Sequence, residues 1–135
     1  MTAYSILVVE DHLMFGKTLV QLLNEQTPYN VVGPLRSGEE ALACLSNTDV
    51  DLVLIDVSLP QMNGIDLVTN INAKFPQVRC LILSGHMSPN YVKQALDAGA
   101  RGYVLKDDVV GVVQGVELVM KGKIFLSAAL RDVVC

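Results

Sequence analysis

Residues 51–60 read Asp51-Leu52-Val53-Leu54-Ile55-Asp56-Val57-Ser58-Leu59-Pro60. Leu52 to Ile55 form an unbroken apolar run of strand length, the pattern of a strand buried on both faces. The run ends on a carboxylate, Asp56. A loop with Pro60 and Gly64 follows, and then a helical pattern. The stretch therefore reads as a buried parallel strand that delivers Asp56 to the end of a sheet.

The rest of the chain repeats this arrangement. Upstream, residues 5–9 (SILVV) form a short β-branched run that ends on Glu10-Asp11. From His12 the period turns helical, with Phe15, Leu19, Leu22 and Leu23 on one face and Pro28 beyond the end. Residues 30–34 (NVVGP) read as a second strand, and Ser37 with Glu40 three residues on as a capping box before a short helix. Downstream of Asp56 a helix is expected from Gly64 to Phe75, stopped by Pro76. Residues 78–83 (VRCLIL) give a fourth strand ending on Ser84-Gly85. Ser88-Pro89 reads as the cap and first turn of the next helix, and Gly99 as its end. Residues 102–105 (GYVL) give a fifth strand ending on Lys106. Asp107 and Asp108 suit the N-terminus of a last helix that Gly122 stops. Five strands alternating with five helices specify an α/β fold, a doubly wound parallel sheet with helices on both faces.

Composition bounds the function. The chain has 135 residues, 51% hydrophobic and 18% charged, with a mean hydropathy of +0.42. That fills one core and excludes a disordered chain. Net charge is -4 and the ten Lys and Arg are scattered. This argues against nucleic acid or an anionic membrane as a direct partner. Cys44, Cys80 and Cys135 show no metal-ligand spacing and no disulfide framework, which fits reduced thiols and a cytoplasmic location. No uncharged apolar stretch reaches membrane-spanning length.

In a parallel sheet the carboxyl ends of all strands share one edge, and ligands bind there at a switch point in strand order. Glu10-Asp11, Asp56, Ser84 and Lys106 each directly follow an apolar run. Three carboxylates at one edge repel unless cations sit among them. Lys106 supplies one charge, and Mg²⁺ is the hard cation that carboxylate and carbonyl oxygens suit. An acidic cluster with Mg²⁺, a lysine and a hydroxyl is a site for a phosphoryl group, and a carboxylate can be its nucleophile.

In that order and at those strand ends, Glu10-Asp11, Asp56 with Leu59-Pro60 and Gly64, Ser84-Gly85, and the run Gly99 to Lys106 (GARGYVLK) resemble the receiver (CheY-like) domain of two-component response regulators. The resemblance covers residues 5–121. It implies a flavodoxin-like sheet of order 2-1-3-4-5. It implies that Asp56 accepts a phosphoryl group from a sensor histidine kinase. It assigns Mg²⁺ to Glu10, Asp11, Asp56 and the backbone carbonyl of Ser58, and the phosphoryl oxygens to Lys106. Ser84 would hydrogen-bond the phosphoryl group, and Tyr103 would be a switch aromatic that turns inward on phosphorylation. The opening Glu-Asp-His, the AGARGYVLK run and the tail GKIFLS are most similar to receivers of LuxR/FixJ-type DNA-binding regulators. Residues 1–121 are then the receiver. Residues 122–135 start a linker or an extra C-terminal helix towards an output domain outside the chain, through which alone DNA would be bound. Homodimerisation on phosphorylation is a further implied partnership, with Tyr91 and the last two helices as candidate surfaces.

Taken singly, each residue has an ordinary explanation: Asp56 or Ser84 as a turn residue, Glu10-Asp11 as a helix cap, Lys106 as a solvated charge, Tyr103 as core. Three other functions compete. A flavin carrier on this fold needs a glycine- and hydroxyl-rich phosphate loop where Glu10-Asp11-His12 stands. An aspartate-nucleophile phosphatase needs Asp-x-Asp, and the second position here is Ser58. A stand-alone or pseudo-receiver interaction module, never phosphorylated, has no need of the full set Asp11, Asp56, Ser84 and Lys106. The chain is not expected to be an enzyme towards a separate substrate.

Overall fold

The computed structural model describes residues 4–134. The strands are β1 (Ser5–Val9), β2 (Asn30–Leu35), β3 (Leu52–Asp56), β4 (Arg79–Ser84), β5 (Gly102–Leu105) and β6 (Phe125–Leu126). They form one parallel sheet in the order β2-β1-β3-β4-β5-β6. The helices are α1 (Leu13–Gln26), α2 (Gly38–Asn47), α3 (Gly64–Lys74), α4 (Pro89–Ala98), α5 (Val109–Met120) and α6 (Ala128–Val134). The expected order 2-1-3-4-5 is present and extended by one short strand.

The two faces of the sheet follow from the period of two along each strand. Ile6 and Val8 of β1, Leu52 and Leu54 of β3, Leu81 and Leu83 of β4, and Val104 of β5 point to one side. There they meet Leu19 and Leu23 of α1 and Val112, Val116 and Val119 of α5. Leu7, Val9, Val53, Ile55, Cys80, Ile82 and Tyr103 point to the other. There they meet Ala41 and Leu45 of α2, Leu67, Val68 and Ile71 of α3, and Val92 and Ala95 of α4. All five residues of β3 are buried, which is why the run reads as apolar without alternation.

The helix ends follow local chemistry. Ser37 caps α2 by accepting from the Glu40 N–H at 3.2 Å, as its spacing predicts. Glu40 departs from the reciprocal pattern and reaches back to the Arg36 N–H at 3.3 Å. Ser88 caps α4 with Pro89 in its first turn, and Gly99 ends it with φ of 112°. Asp108 caps α5. The cap of α1 is His12, whose Nδ1 accepts from the Phe15 N–H at 3.2 Å. The acidic pair before it is free for another role.

Among the described residues the C-terminal end adds β6, which was not expected, and α6, within the stretch for which an extra helix was one expectation, because residues 123–130 return to the edge of β5. Phe125 N–H donates to the Arg101 carbonyl and Ser127 N–H to the Tyr103 carbonyl. The buried Ser127 hydroxyl accepts from the Leu105 N–H at 3.0 Å. Phe125 and Leu130 are buried on opposite faces of the sheet. A two-residue strand is too short to show a period, which hides it from pattern reading. Among the described residues no helix is long and apolar enough to cross a membrane.

Candidate functional site

The strand order reverses direction at β1, which lies between β2 and β3. At the carboxyl ends of β1 and β3 stand Glu10 and Asp56, and the ends of β4 and β5 bring Ser84 and Lys106. The backbone fixes these positions. Glu10 N–H donates to the Leu35 carbonyl, and Val57 N–H to the Leu83 carbonyl, so the ladder continues past both carboxylates. The loop after Asp56 folds back tightly, with Gly64 N–H on the Val57 carbonyl. A Cβ at Gly64 would stand 2.8 Å from Val57 Cα and run into the Asp56 carbonyl oxygen. That close approach is the reason for glycine there.

Lys106 Nζ lies 2.8 Å from Glu10 Oε1 and 3.1 Å from Asp56 Oδ2. Asp56 Oδ1 accepts from the Ser58 N–H at 3.0 Å, and Glu10 Oε2 from the His12 N–H at 3.0 Å. Glu10 is fully buried and Asp56 nearly so; Asp11 is partly exposed. Burial pushes the Glu10 carboxyl up to about 7. The adjacent Asp56 pushes the same way, while Lys106 and the His12 N–H pull it down. Burial alone would lower Lys106, but its contacts with Glu10 and Asp56 outweigh this and hold its ammonium above the usual range.

Glu10, Asp11 and Asp56 each offer one oxygen within 4.8 Å of the others. Glu10 Oε1 is buried and lacks an aligned hydrogen bond, its contact with Lys106 being an ion pair only. An underused buried oxygen among three carboxylates fits a hard divalent cation such as Mg²⁺. Ser58, the fourth expected metal ligand, lies in the loop beside Asp56 with its side chain exposed. A cleft of about 490 Å³ lined by Tyr4, Asp49, Asp51 and Phe75, among others, holds none of these strand-end groups. Chemistry, not cavity size, marks the site.

Ser84 and Tyr103 meet at one atom. The Ser84 hydroxyl accepts from the His86 N–H at 2.9 Å and donates to the His86 carbonyl at 3.3 Å. The Tyr103 hydroxyl donates to that same carbonyl at 3.3 Å. Tyr103 is wholly buried, and burial raises its phenol. The expected outward start for a turning aromatic is therefore not the conformation seen: the ring is already inward, packed among the α4-side core residues. The Lys106–Asp107 peptide is trans; among the described residues only Gly33–Pro34 is cis.

Residues 6–114 match the family model described as the response regulator receiver domain. The chain belongs to that family. Relatives of the receiver include DNA-binding transcriptional activator DevR/DosR of Mycobacterium tuberculosis, 37% identical over 113 residues, 84% of this chain and 50% of the relative. Transcriptional regulatory protein DegU of Brevibacillus brevis is 29% identical over 90% of this chain and 52% of its own length. The receiver thus spans about half the length of these two relatives. A LuxR-family two-component response regulator from Aurantimonas superimposes with a TM-score of 0.93 at 28% identity, covering 98% of this chain and 96% of that one. The signal receiver domain of NarL from Mycobacterium tuberculosis gives 0.84 at 31% identity over 91% of this chain and all of that one.

The fold thus gathers Glu10, Asp11, Asp56 and Lys106 into one cluster. Ser84 and Tyr103 stand together on the His86 carbonyl, and the Ser84 carbonyl accepts from the Lys106 N–H. Two participants escape pattern reading. His12 caps α1, though its residue type is not a usual cap signal. Phe15 reads as an apolar face position, yet Lys106 Nζ lies over its ring, 5.0 Å from the centroid. That contact joins α1 to the end of β5 and has no local signature.

Proposed function

We propose that this receiver accepts a phosphoryl group on Asp56 and so switches a DNA-binding output portion of a longer transcription regulator. The observation that carries the reading is the Asp56 carboxylate itself: buried at a strand end, held at 3.1 Å by Lys106 and flanked by two further acids. A carboxylate oxygen of Asp56 forms a bond to phosphorus, the bond from phosphorus to the donor breaks, and the donor leaves with its electron pair. For a sensor histidine kinase the donor is the imidazole nitrogen of a phosphohistidine.

Mg²⁺, held by Glu10, Asp11, Asp56 and the Ser58 carbonyl, would neutralise phosphoryl oxygens as charge shifts. Lys106, already beside Asp56, would pair with the phosphoryl oxygens. The Ser58 N–H orients the Asp56 carboxylate. Ser84 turns its hydroxyl from the His86 carbonyl to the phosphoryl group. The freed carbonyl stays with Tyr103, so the loop after β4 and the α4 surface respond together. The reaction is self-phosphorylation and hydrolysis of the aspartyl phosphate, with no separate substrate, in the cytoplasm. Association of two phosphorylated copies completes the switch. DNA contact belongs to the output portion; the names of the DNA-binding and transcriptional relatives, and their roughly double length, support this.

Intact mass after incubation with acetyl phosphate tests the reading. One added phosphoryl group, dependent on Mg²⁺ and missing in Asp56→Asn, is expected. An unmodified wild type under conditions that label another receiver would leave a pseudo-receiver binding module instead.

A further inference from the structure

Phe15 sits in the first turn of α1, and the mechanism above does not use it. Its ring is partly buried, and Lys106 Nζ lies over its face at 5.0 Å from the centroid. The same nitrogen is 2.8 Å from Glu10 Oε1 and 3.1 Å from Asp56 Oδ2. An ammonium has three donors. Two carboxylates stand on two sides and an aromatic face on a third. The lysine stem is flexible, and its side chain is 28% exposed, so it has an open path to solvent.

We propose that Phe15 is a positioning residue for phosphoryl acceptance: its ring face holds the Lys106 ammonium beside Asp56 by cation–π attraction. The proposal rests on Asp56 being the acceptor. An aromatic face suits the task better than the alternatives. A third acid at this position would compete with the phosphoryl oxygens for the lysine's protons. An aliphatic side chain would attract no charge. The ring attracts the cation through its quadrupole and accepts no conventional hydrogen bond, so the donors stay available to carboxylate or phosphoryl oxygen. The ordinary alternative is packing alone, since Phe15 also borders the core between the sheet and α1 and α5.

The test separates charge attraction from packing. Mg²⁺-dependent phosphorylation by acetyl phosphate is timed by intact mass for wild type, Phe15→Leu, Phe15→Tyr and protein with pentafluorophenylalanine placed at position 15. The fluorinated ring keeps the shape and reverses the quadrupole. Phe15→Leu and the fluorinated protein are expected to slow roughly two- to thirty-fold, and Phe15→Tyr to stay near wild type. In a Lys106→Met background Phe15→Leu should add nothing. Independently of Mg²⁺ and phosphoryl transfer, the Lys106 ε-methylene protons should be shifted upfield by the ring and lose that shift in Phe15→Leu. A fluorinated protein as fast as wild type would overturn the proposal, leaving packing as the role of the ring. Absence of the upfield shift would overturn the contact. A wild type that takes no phosphoryl group at all would overturn the parent reading and this one with it, and is distinguished by an intact lysine shift.

Discussion

Lys106→Met removes the cation that stands between two buried carboxylates while keeping most of the side chain's length. Glu10 is wholly buried, and the Asp56 side chain is 4% exposed. Breaking a buried pair by deleting one partner costs about 3–5 kcal/mol. Lys106 is itself 28% exposed, so water can enter its place, and the lower end of that range, about 3 kcal/mol at pH 8, is expected. Acid should relieve the loss. Glu10 is raised from 4.5 to about 7 already in wild type, because burial penalises its charge. The folded state therefore binds the proton more tightly than the unfolded one, and stability falls as pH rises from 4.5 through about 7. Without the ammonium that pull on the proton grows. Wild-type Glu10 ionises only above about 7, so the loss should shrink by at most about 1.4 kcal/mol between pH 8 and pH 5.5, to about 1.6 kcal/mol, at no more than about 1.4 kcal/mol per pH unit per proton. The chain has no Trp, so urea unfolding is followed by far-UV circular dichroism, in EDTA, at pH 5.5 and pH 8 for both proteins. A loss below about 0.5 kcal/mol at pH 8, or one that grows towards acid, would refute the electrostatic reasoning.

Three further outcomes follow from single contacts. Asn24→Ala should cost about 1–2 kcal/mol in urea unfolding, because the Asn24 amide clamps Val31 by accepting from its N–H at 3.0 Å and donating to its carbonyl at 2.9 Å. A change under 0.3 kcal/mol would show that water replaces the clamp. Gly64→Ala should destabilise by about 2 kcal/mol or more, since the new Cβ meets the backbone of Asp56 and Val57 and no flexible side chain can yield; a wild-type unfolding midpoint would contradict this. In a Cys135→Ser background Cys44 should react with a thiol reagent in the native state while Cys80 does not. Cys44 is partly exposed, whereas burial pushes the Cys80 thiol up to about 12. Fast labelling of two thiols before unfolding would be the opposing result.

Most of the sheet was legible because its signals are local. The unbroken run Leu52 to Ile55 specified a central strand, and Ser37, Ser88 and Gly99 marked helix ends through hydrogen bonds to near neighbours. Strand ends carrying Glu10, Asp56, Ser84 and Lys106 could be placed on one edge because parallel topology puts them there. What sequence reasoning lacked was anything set by distance. The edge strand at Phe125–Leu126 exists because β5 leaves backbone groups to be paired. The inward Tyr103 depends on the His86 carbonyl, seventeen residues away. The stacking of Lys106 on Phe15 joins two elements at opposite ends of the chain. The contacts themselves leave no period in the sequence.

The central claim is that Asp56 forms the phosphoryl bond, and chemical trapping tests it most directly. The Mg²⁺- and acetyl phosphate-treated protein is reduced with borohydride, which converts an aspartyl phosphate to homoserine, and the peptides are sequenced by mass spectrometry. Homoserine at position 56, and at no other aspartate, is the predicted result. Homoserine at Asp11 instead, or unaltered aspartate at every position in protein that labels by mass, would contradict the account.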